Sequence, residues 1–131
     1  TVILGSDTVV AADGKILGKP KSHEEAYEMI RRLAGRSHQV YTGVCLVKKG
    51  PEGEADTVVS FYDETDVNVS PMTEKEIREY ADSEEPMDKA GSYAVQGFFA
   101  RYIDGLKGSY ANVMGLPVHL VYQELKKLGA L

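Results

Sequence analysis

The sequence predicts one domain of the α/β or α+β class, and three observations support this. Runs rich in β-branched residues, typical of strands, occupy residues 1–12, 38–49 and 56–69. Segments with helical spacing and capping signals lie at residues 22–34, 73–82 and 117–128. No internal repeat and no linker interrupts the 131 residues, so a single domain is expected over residues 1–131.

The net charge of the chain limits which molecules it is expected to bind. Fifteen Lys and Arg against twenty Asp and Glu give a net charge of −5. We expect no nucleic-acid binding from such a chain, and an anionic ligand must be held by a few well-placed cations. Cys45 is the only cysteine, which excludes an internal disulfide and a zinc site of several cysteines. No apolar run approaches the ~18 residues of a membrane span, and no signal-peptide pattern is found, so a cytoplasmic location is expected.

The first apolar stretch, TVILGSDTVVAA, predicts two short strands buried on both faces around Gly5, Ser6 and Asp7. A carboxylate between buried strands is costly unless it is paired, bound to a metal or catalytic. The alternative is that Asp7 only caps a turn. Because the chain opens inside an apolar run at Thr1, where a domain terminus is usually exposed, we expect it to be a fragment.

The next segment combines a turn, two cations and a helix. Asp13-Gly14 is a turn signal, and Gly18-Lys19-Pro20-Lys21 precedes a helix over residues 22–34 that begins with a Ser22-x-x-Glu25 capping-box pattern. Free N–H groups and the dipole attract anions to a helix N-terminus, so Lys19 is a candidate phosphate ligand. The alternative is a solvated basic loop.

A hairpin and a second helix follow. The strand HQVYTGVCLVKK and the strand DTVVSFYDETDVNV are separated by a turn containing Gly50, Pro51 and Gly53, which predicts an antiparallel pair. Cys45 lies in the first of these strands and is predicted to be a buried apolar residue. Thr73 and Glu76 repeat the capping-box pattern at the start of the helix over residues 73–82.

The last third carries two polar loops and the final helix. Residues 87–104 are predicted as a loop that enters one or two strands, and it contains Lys89 and Gln96. Lys89 could present an ammonium to a phosphate, and the Gln96 amide could read a base edge. The alternative for Lys89 is a surface ion pair with Asp88, which contributes roughly 0–1 kcal/mol. Residues 105–112 are predicted as a second loop, and the helix over 117–128 ends the chain.

The order of these segments along the chain is more specific for a protein family than any one segment is. The order G-S-D-T-V-V, G-K-P-K, H-Q-V-Y-T-G-V, D-K-A-G-S-Y-A-V-Q-G and G-S-Y-A-N-V-M-G-L-P resembles the Maf family of nucleotide pyrophosphatases, from residue 2 to about 128. The resemblance implies a mixed, twisted sheet with flanking helices, related to the inosine-triphosphate pyrophosphatases. It implies hydrolysis of a nucleoside triphosphate to the monophosphate and pyrophosphate, in a house-cleaning role that requires Mg or Mn.

The resemblance also assigns roles to individual residues. It implies Asp7 as the general base or metal-organising carboxylate, and Lys19 and Lys89 as phosphate ligands. It implies that Thr8 and Gln96 tune the choice of base, and the combination is similar to the branch of the family that acts on dTTP and UTP. Hydrogen bonds from an amide and a hydroxyl can match O4, N3–H and O2 of a pyrimidine.

One part of the family pattern does not occur in this sequence. Maf proteins begin with a strand and a Ser-x-Arg-Arg loop that completes the triphosphate site, so the chain resembles their C-terminal two thirds. The resemblance further implies a homodimer, with the hairpin over residues 38–69 as a candidate edge. The alternative hypothesis is a non-catalytic module that binds a nucleotide or a protein, as a regulator linked to cell division.

Overall fold

A computed structural model describes all 131 residues and places every strand in one sheet. The strands are β1 (Val2–Ala12), β2 (Lys15–Leu17), β3 (Ser37–Lys48), β4 (Thr57–Val69) and β5 (Ile103–Lys107). The helices are α1 (His23–Leu33), α2 (Glu74–Ala81), α3 (Tyr110–Met114) and α4 (Val118–Lys127). The predicted class, a sheet with flanking helices, is confirmed.

The sheet has the strand order β2-β1-β3-β4-β5, and all four pairings are antiparallel. This corrects the expectation of a mixed sheet. The turn at Asp13-Gly14 joins β1 to β2 directly, and residues 49–56 join β3 to β4, so these neighbours must run in opposite directions. The predicted hairpin over residues 38–69 is confirmed, with Ser37 opposite Asn68 and Lys48 opposite Thr57.

The core lies on one face of the sheet. Side chains alternate between the two faces of a strand, so the even-numbered residues of β1 and β3 share a face. Val10 and Val40 pack there with Ile30 of α1, Ile77 of α2 and Phe99. A second, smaller cluster forms where Val121 of α4 packs on Val44 and Leu46 of β3. The helices therefore cover one face and leave the other open.

The helix ends follow the predicted capping signals. The Ser22 hydroxyl accepts from the Glu25 N–H at the start of α1. At α2 the capping box is complete, because the Thr73 hydroxyl accepts from the Glu76 N–H and the Glu76 carboxylate accepts from the Thr73 N–H. None of the four helices has the length and apolar character of a membrane-spanning segment.

The prediction for residues 1–12 was wrong in two respects. The segment forms one continuous strand, β1, and Ile3 and Leu4 are 55% and 42% exposed. There are two physical reasons. Ile3 lies on the open face of the sheet, and β2 pairs only with residues 10–12, so the earlier part of β1 is at the edge of the sheet. Cys45 is partly buried rather than buried.

The prediction for residues 87–112 was only partly right. A single strand, β5, forms there, and the residues before it adopt three short 3-10 turns, Glu85–Asp88, Ala90–Ser92 and Phe98–Tyr102. Gly91 and Ser92 both have a φ of +70°, which a strand does not accommodate. The second predicted loop contains the end of β5 and the start of α3, whose first turn is capped by the Ser109 hydroxyl.

Candidate functional site

A cavity with a volume of about 770 Å³ lies between the sheet and residues 85–97. All of the predicted site residues line it, although they come from separate segments of the chain. They are Asp7, Thr8, Lys19, Lys89 and Gln96. The structure therefore brings together side chains that are up to 89 positions apart, from Asp7 to Gln96.

Strand β1 provides the first wall of the cavity, which we call the sheet wall: Asp7, Thr8 and Val10, with Val40 of β3 beside them. Thr8 stands opposite Thr42 in the β1–β3 ladder, and Val10 stands opposite Val40. Asp7 is exposed, in contrast to the predicted burial. Its carboxylate forms no hydrogen bond or ion pair within the chain, so it can take up a ligand.

Lys19 lies in the loop before α1, and this loop is joined to the segment that carries Lys89. The Gly91 N–H donates to the Gly18 carbonyl at 3.1 Å. The pKa of Asp88 is lowered, first because Lys89 donates a hydrogen bond to its carboxylate, and to a smaller extent by the charge of Lys19. Both ammonium groups therefore act on one region of the cavity, as an anion site requires.

Residues 85–97 form the opposite wall, which we call the loop wall. Its turn at Gly91 lies directly against the sheet wall, because a Cβ atom built on Gly91 would be 2.8 Å from Cγ1 of Val10. Next to it, Ser92 has a positive φ and is fully buried, and its hydroxyl lies 2.9 Å from Sδ of Met29 on α1. Non-glycine residues with positive φ are uncommon and are held in place by their surroundings.

Gln96 is exposed at the end of the loop wall, and Glu85 fixes the backbone that follows it. Oε1 of Glu85 accepts from the Phe98 N–H at 2.8 Å, and Oε2 accepts from the Phe99 N–H at 3.2 Å and from the Tyr80 hydroxyl at 2.6 Å. Glu85 is not among the site residues predicted from the sequence. Its position three residues before the D-K-A-G-S-Y-A-V-Q-G stretch gives no sign that it accepts hydrogen bonds from residues 13 and 14 positions away.

A buried hydrogen bond connects the loop wall to β3, the strand that carries Val40. Nε2 of His38 on β3 lies 2.7 Å from the hydroxyl of Tyr93, which lines the cavity. Burial and, to a smaller extent, the charge of Arg36 together lower the pKa of His38 to about 4. Burial also raises the pKa of Tyr93. Both groups are therefore neutral at pH 7, and one proton lies between them.

The carboxylates of the cavity differ in how free they are. Glu85 is occupied by its three donors, and Asp88 is paired with Lys89 at 3.2 Å. No cluster of three or more His, Cys, Asp or Glu residues that could hold a metal occurs in the structure. Mg²⁺ commonly binds one or two carboxylates and completes its shell with substrate phosphates and water. Asp7 fits that role, because it is exposed and unpaired.

The architecture and the cavity together define a class: an α/β protein with a helix-covered antiparallel sheet and a pocket in which two lysines and an unpaired carboxylate converge. The comparisons with known proteins agree with this class. A family model described as "Maf-like protein" matches residues 1–128. The chain belongs to the Maf family.

Curated relatives of the chain carry a more specific name. The chain is 49% identical over 129 residues to a dTTP/UTP pyrophosphatase of Lachnoclostridium phytofermentans, covering 98% of this chain and 65% of the relative. It is 52% identical over 131 residues to a dTTP/UTP pyrophosphatase of Agathobacter rectalis, covering 98% and 62%. The same name is printed for a relative from Carboxydothermus hydrogenoformans, at 48% identity over 128 residues. The chain spans about two thirds of the length of these relatives.

Proposed function

We propose that the protein is a cytoplasmic nucleoside-triphosphate pyrophosphatase with a house-cleaning role, acting on dTTP and UTP or on modified pyrimidine nucleotides. The observation that carries the proposal is that Asp7, Thr8, Lys19, Lys89 and Gln96 line one cavity of about 770 Å³. This volume lies in the range typical of small-molecule sites. The name shared by the relatives supports the choice of pyrimidine nucleotides.

The two lysines are suited to hold the phosphates. Hydrolysis to the monophosphate and pyrophosphate requires that water attack the α-phosphorus while the P–O bond to the pyrophosphate breaks. Negative charge on the departing oxygens grows during this step, and nearby ammonium groups stabilise it. Lys19 and Lys89 approach the same part of the cavity from two segments that are joined by the bond from Gly91 to Gly18.

Asp7 is suited to act on the water. An ionised carboxylate within hydrogen-bond reach can accept the proton that water loses as the new O–P bond forms. Asp7 would also hold the divalent cation, Mg or Mn, which supplies positive charge to the phosphate oxygens when bound. Its place on an extended strand, without partners of its own, leaves both carboxylate oxygens available.

The proposal is tested by measuring pyrophosphate release from dTTP and UTP with Mg²⁺ or Mn²⁺. The full-length gene product is the sample, including any residues encoded before Thr1. Asp7→Asn keeps the shape of the side chain but removes the base, so activity should fall by about 10³-fold or more. Glu28→Gln is a matched control, because Glu28 is exposed on α1 and does not line the cavity. Failure of the wild type with every nucleotide would overturn the proposal, and binding without turnover would favour the regulator hypothesis.

Gln96 should contribute to selectivity for the base more than to the rate. A neutral amide both donates and accepts, whereas an ionised carboxylate only accepts. Gln96→Glu should therefore weaken the preference for dTTP and UTP over purine nucleotides by about tenfold, which corresponds to about 1.4 kcal/mol. The ratio of kcat/KM values measures this, and an unchanged ratio would remove Gln96 from the base site.

We further propose that the protein is a homodimer that uses the open face of the β3–β4 hairpin. Val58 and Tyr62 are 61% and 69% exposed on this hairpin, although they are large and apolar or aromatic. Light scattering of the wild type and of Tyr62→Glu tests the assignment. A wild type that is monomeric at all concentrations would contradict it.

A further inference from the structure

The hydroxyl of Thr8 is tied to a buried polar network beneath the cavity. Thr8 and Thr42 stand opposite each other in the β1–β3 ladder, and their Oγ1 atoms are 2.8 Å apart. Thr42 is fully buried, whereas Thr8 is partly exposed and lines the cavity. Taken alone, this pair does not define which hydroxyl donates, because each oxygen carries one proton and can also accept.

A second bond of Thr42 decides the direction. Oγ1 of Thr42 lies 3.0 Å from the backbone carbonyl oxygen of Asn112 on α3. A carbonyl oxygen carries no proton, so the one proton of the Thr42 hydroxyl must lie in this bond. Thr42 can then only accept from Thr8. The proton of the Thr8 hydroxyl is therefore directed inward, away from the cavity.

The carbonyl of Asn112 is itself held in place. The Asn112 side-chain Nδ2 donates to the Val40 carbonyl at 3.2 Å and to Oγ1 of Thr65 at 2.9 Å. The Thr65 hydroxyl accepts from the Ser109 N–H and donates to the Ser109 carbonyl, each at 3.1 Å. Asn112, Thr42 and Thr65 are all fully buried. The Asn112 carbonyl also accepts from the Gly115 N–H at 3.0 Å. If Thr42 donated to Thr8 instead, two buried oxygens, Oγ1 of Thr42 and the Asn112 carbonyl oxygen, would face each other without a proton, which costs about 1–3 kcal/mol.

The consequence lies at the cavity surface. With its proton committed to Thr42, the oxygen of Thr8 presents only a lone pair to a ligand. Gly115, which also lines the cavity, leaves room there, because a Cβ atom built on it would be 3.7 Å from Oγ1 of Thr8. A ligand group that meets Thr8 must therefore donate a hydrogen bond.

We propose that Thr42 is a positioning residue that makes Thr8 a selective acceptor for the imino N3–H of uracil and thymine. Cytosine is rejected because its N3 carries no proton and would face a second lone pair. The inference rests on the proposed function. It adds to that function the hydrogen-bond property by which the site would distinguish UTP from CTP: N3 donates in uracil and accepts in cytosine. A site that leaves a buried polar group unpaired with the wrong ligand discriminates strongly.

The first test changes the protein. Thr42→Val preserves the shape but removes the acceptor, so the Thr8 hydroxyl becomes free to turn and donate to N3 of cytosine. The ratio of kcat/KM for UTP over CTP should fall by about tenfold. Thr42→Ser retains the hydroxyl and should restore the ratio. Thr57→Val is the matched control, because it makes the same substitution at an exposed position of β4 that does not line the cavity, so the ratio should stay as in the wild type.

A double-mutant cycle shows whether Thr42 acts through Thr8. In a Thr8→Val background, Thr42→Val should leave the UTP to CTP ratio unchanged, because no hydroxyl remains to be oriented. A ratio that shifts equally in both backgrounds would overturn the inference. A single mutant that shifts KM for UTP and CTP alike would also overturn it, since this indicates that Thr8 meets the sugar or a phosphate.

The second test changes the ligand and does not depend on the folding of any variant. Calorimetry with the wild type should show that N3-methyl-UTP binds at least about tenfold more weakly than UTP, whereas 5-methyl-UTP, with a methyl group of the same size, should not. Equal binding of the two methylated nucleotides would overturn the inference. Selective binding without turnover would support the inference while overturning the proposed activity, and no binding of any nucleotide would overturn both.

Discussion

The sheet wall and the loop wall face the same cavity but are held by interactions of different kinds. Strand β1 pairs with β3 over ten consecutive positions, from Val2 opposite Lys48 to Ala11 opposite Gln39. The backbone of the sheet wall is therefore held by many hydrogen bonds, and the loss of one leaves the others in place. The loop wall has no ladder. It depends on the left-handed turn at Gly91 and Ser92, the carboxylate of Glu85 and the hydrogen bond between Tyr93 and His38.

Because of this difference, substitutions in the two walls should have different consequences. A change on the sheet wall alters what a side chain offers to the ligand, while the ladder preserves the backbone. A change on the loop wall alters where Lys89 and Gln96 are placed, because no second interaction replaces an anchor of this wall that is lost. Three experiments test this contrast, with decreasing expected effects on stability.

The largest effect is expected at Gly91, where the two walls touch. In Gly91→Ala, the new Cβ would lie 2.8 Å from Val10 in a backbone with a φ of +70°. The left-handed conformation and the overpacking together should cost about 2–5 kcal/mol. Chemical denaturation measures the loss. Gly43→Ala on β3 is the matched control, because its Cβ meets nothing within 4 Å, and a loss there as large as at Gly91 would contradict the contrast between the walls.

The second effect is a pH dependence at the hydrogen bond between His38 of β3 and Tyr93 of the loop wall. The pKa of His38 is about 4 in the folded chain against an ordinary value of 6.5. Between these two pH values the unfolded chain binds a proton at His38 and the folded chain does not. Stability is complete above pH 6.5 and decreases as the pH falls from 6.5 to about 4, by up to about 3 kcal/mol. The free energy of unfolding should be measured across this range for the wild type and for His38→Gln. If both show the same slope, His38 is not the group that titrates.

The smallest of the three effects on stability is expected at Glu85. Glu85→Gln replaces one acceptor oxygen with an amide NH₂ group, which cannot accept from Phe98, Phe99 or Tyr80. The expected loss is about 1–2 kcal/mol, together with a higher KM for the nucleotide because Gln96 is displaced. Glu84→Gln is the matched control, since Glu84 is exposed and its side chain makes no capping bond. A KM that is unchanged in Glu85→Gln would show that Gln96 is positioned by other residues.

Sequence reasoning predicted the regular elements well because their signals are local. The capping residues Ser22 and Thr73, and the β-branched runs of β3 and β4, fixed these elements to within one or two residues. It did less well where the outcome depends on distant partners. The burial of β1 and the conformation of residues 87–102 were misjudged, because exposure depends on which strands pair, and the left-handed turn depends on packing against Val10 and Met29.

The sequence by itself determined the fold class, the family resemblance and the five candidate side chains, because these depend only on residue types and their spacing along the chain. Only the tertiary structure decided that these side chains share one cavity. It also decided that Asp7 is exposed and that Glu85 fixes the segment after Gln96. The direction of the Thr8 hydroxyl is the clearest case. It depends on a carbonyl 70 positions from Thr42, and hydrogen-bond polarity follows from which groups meet in space.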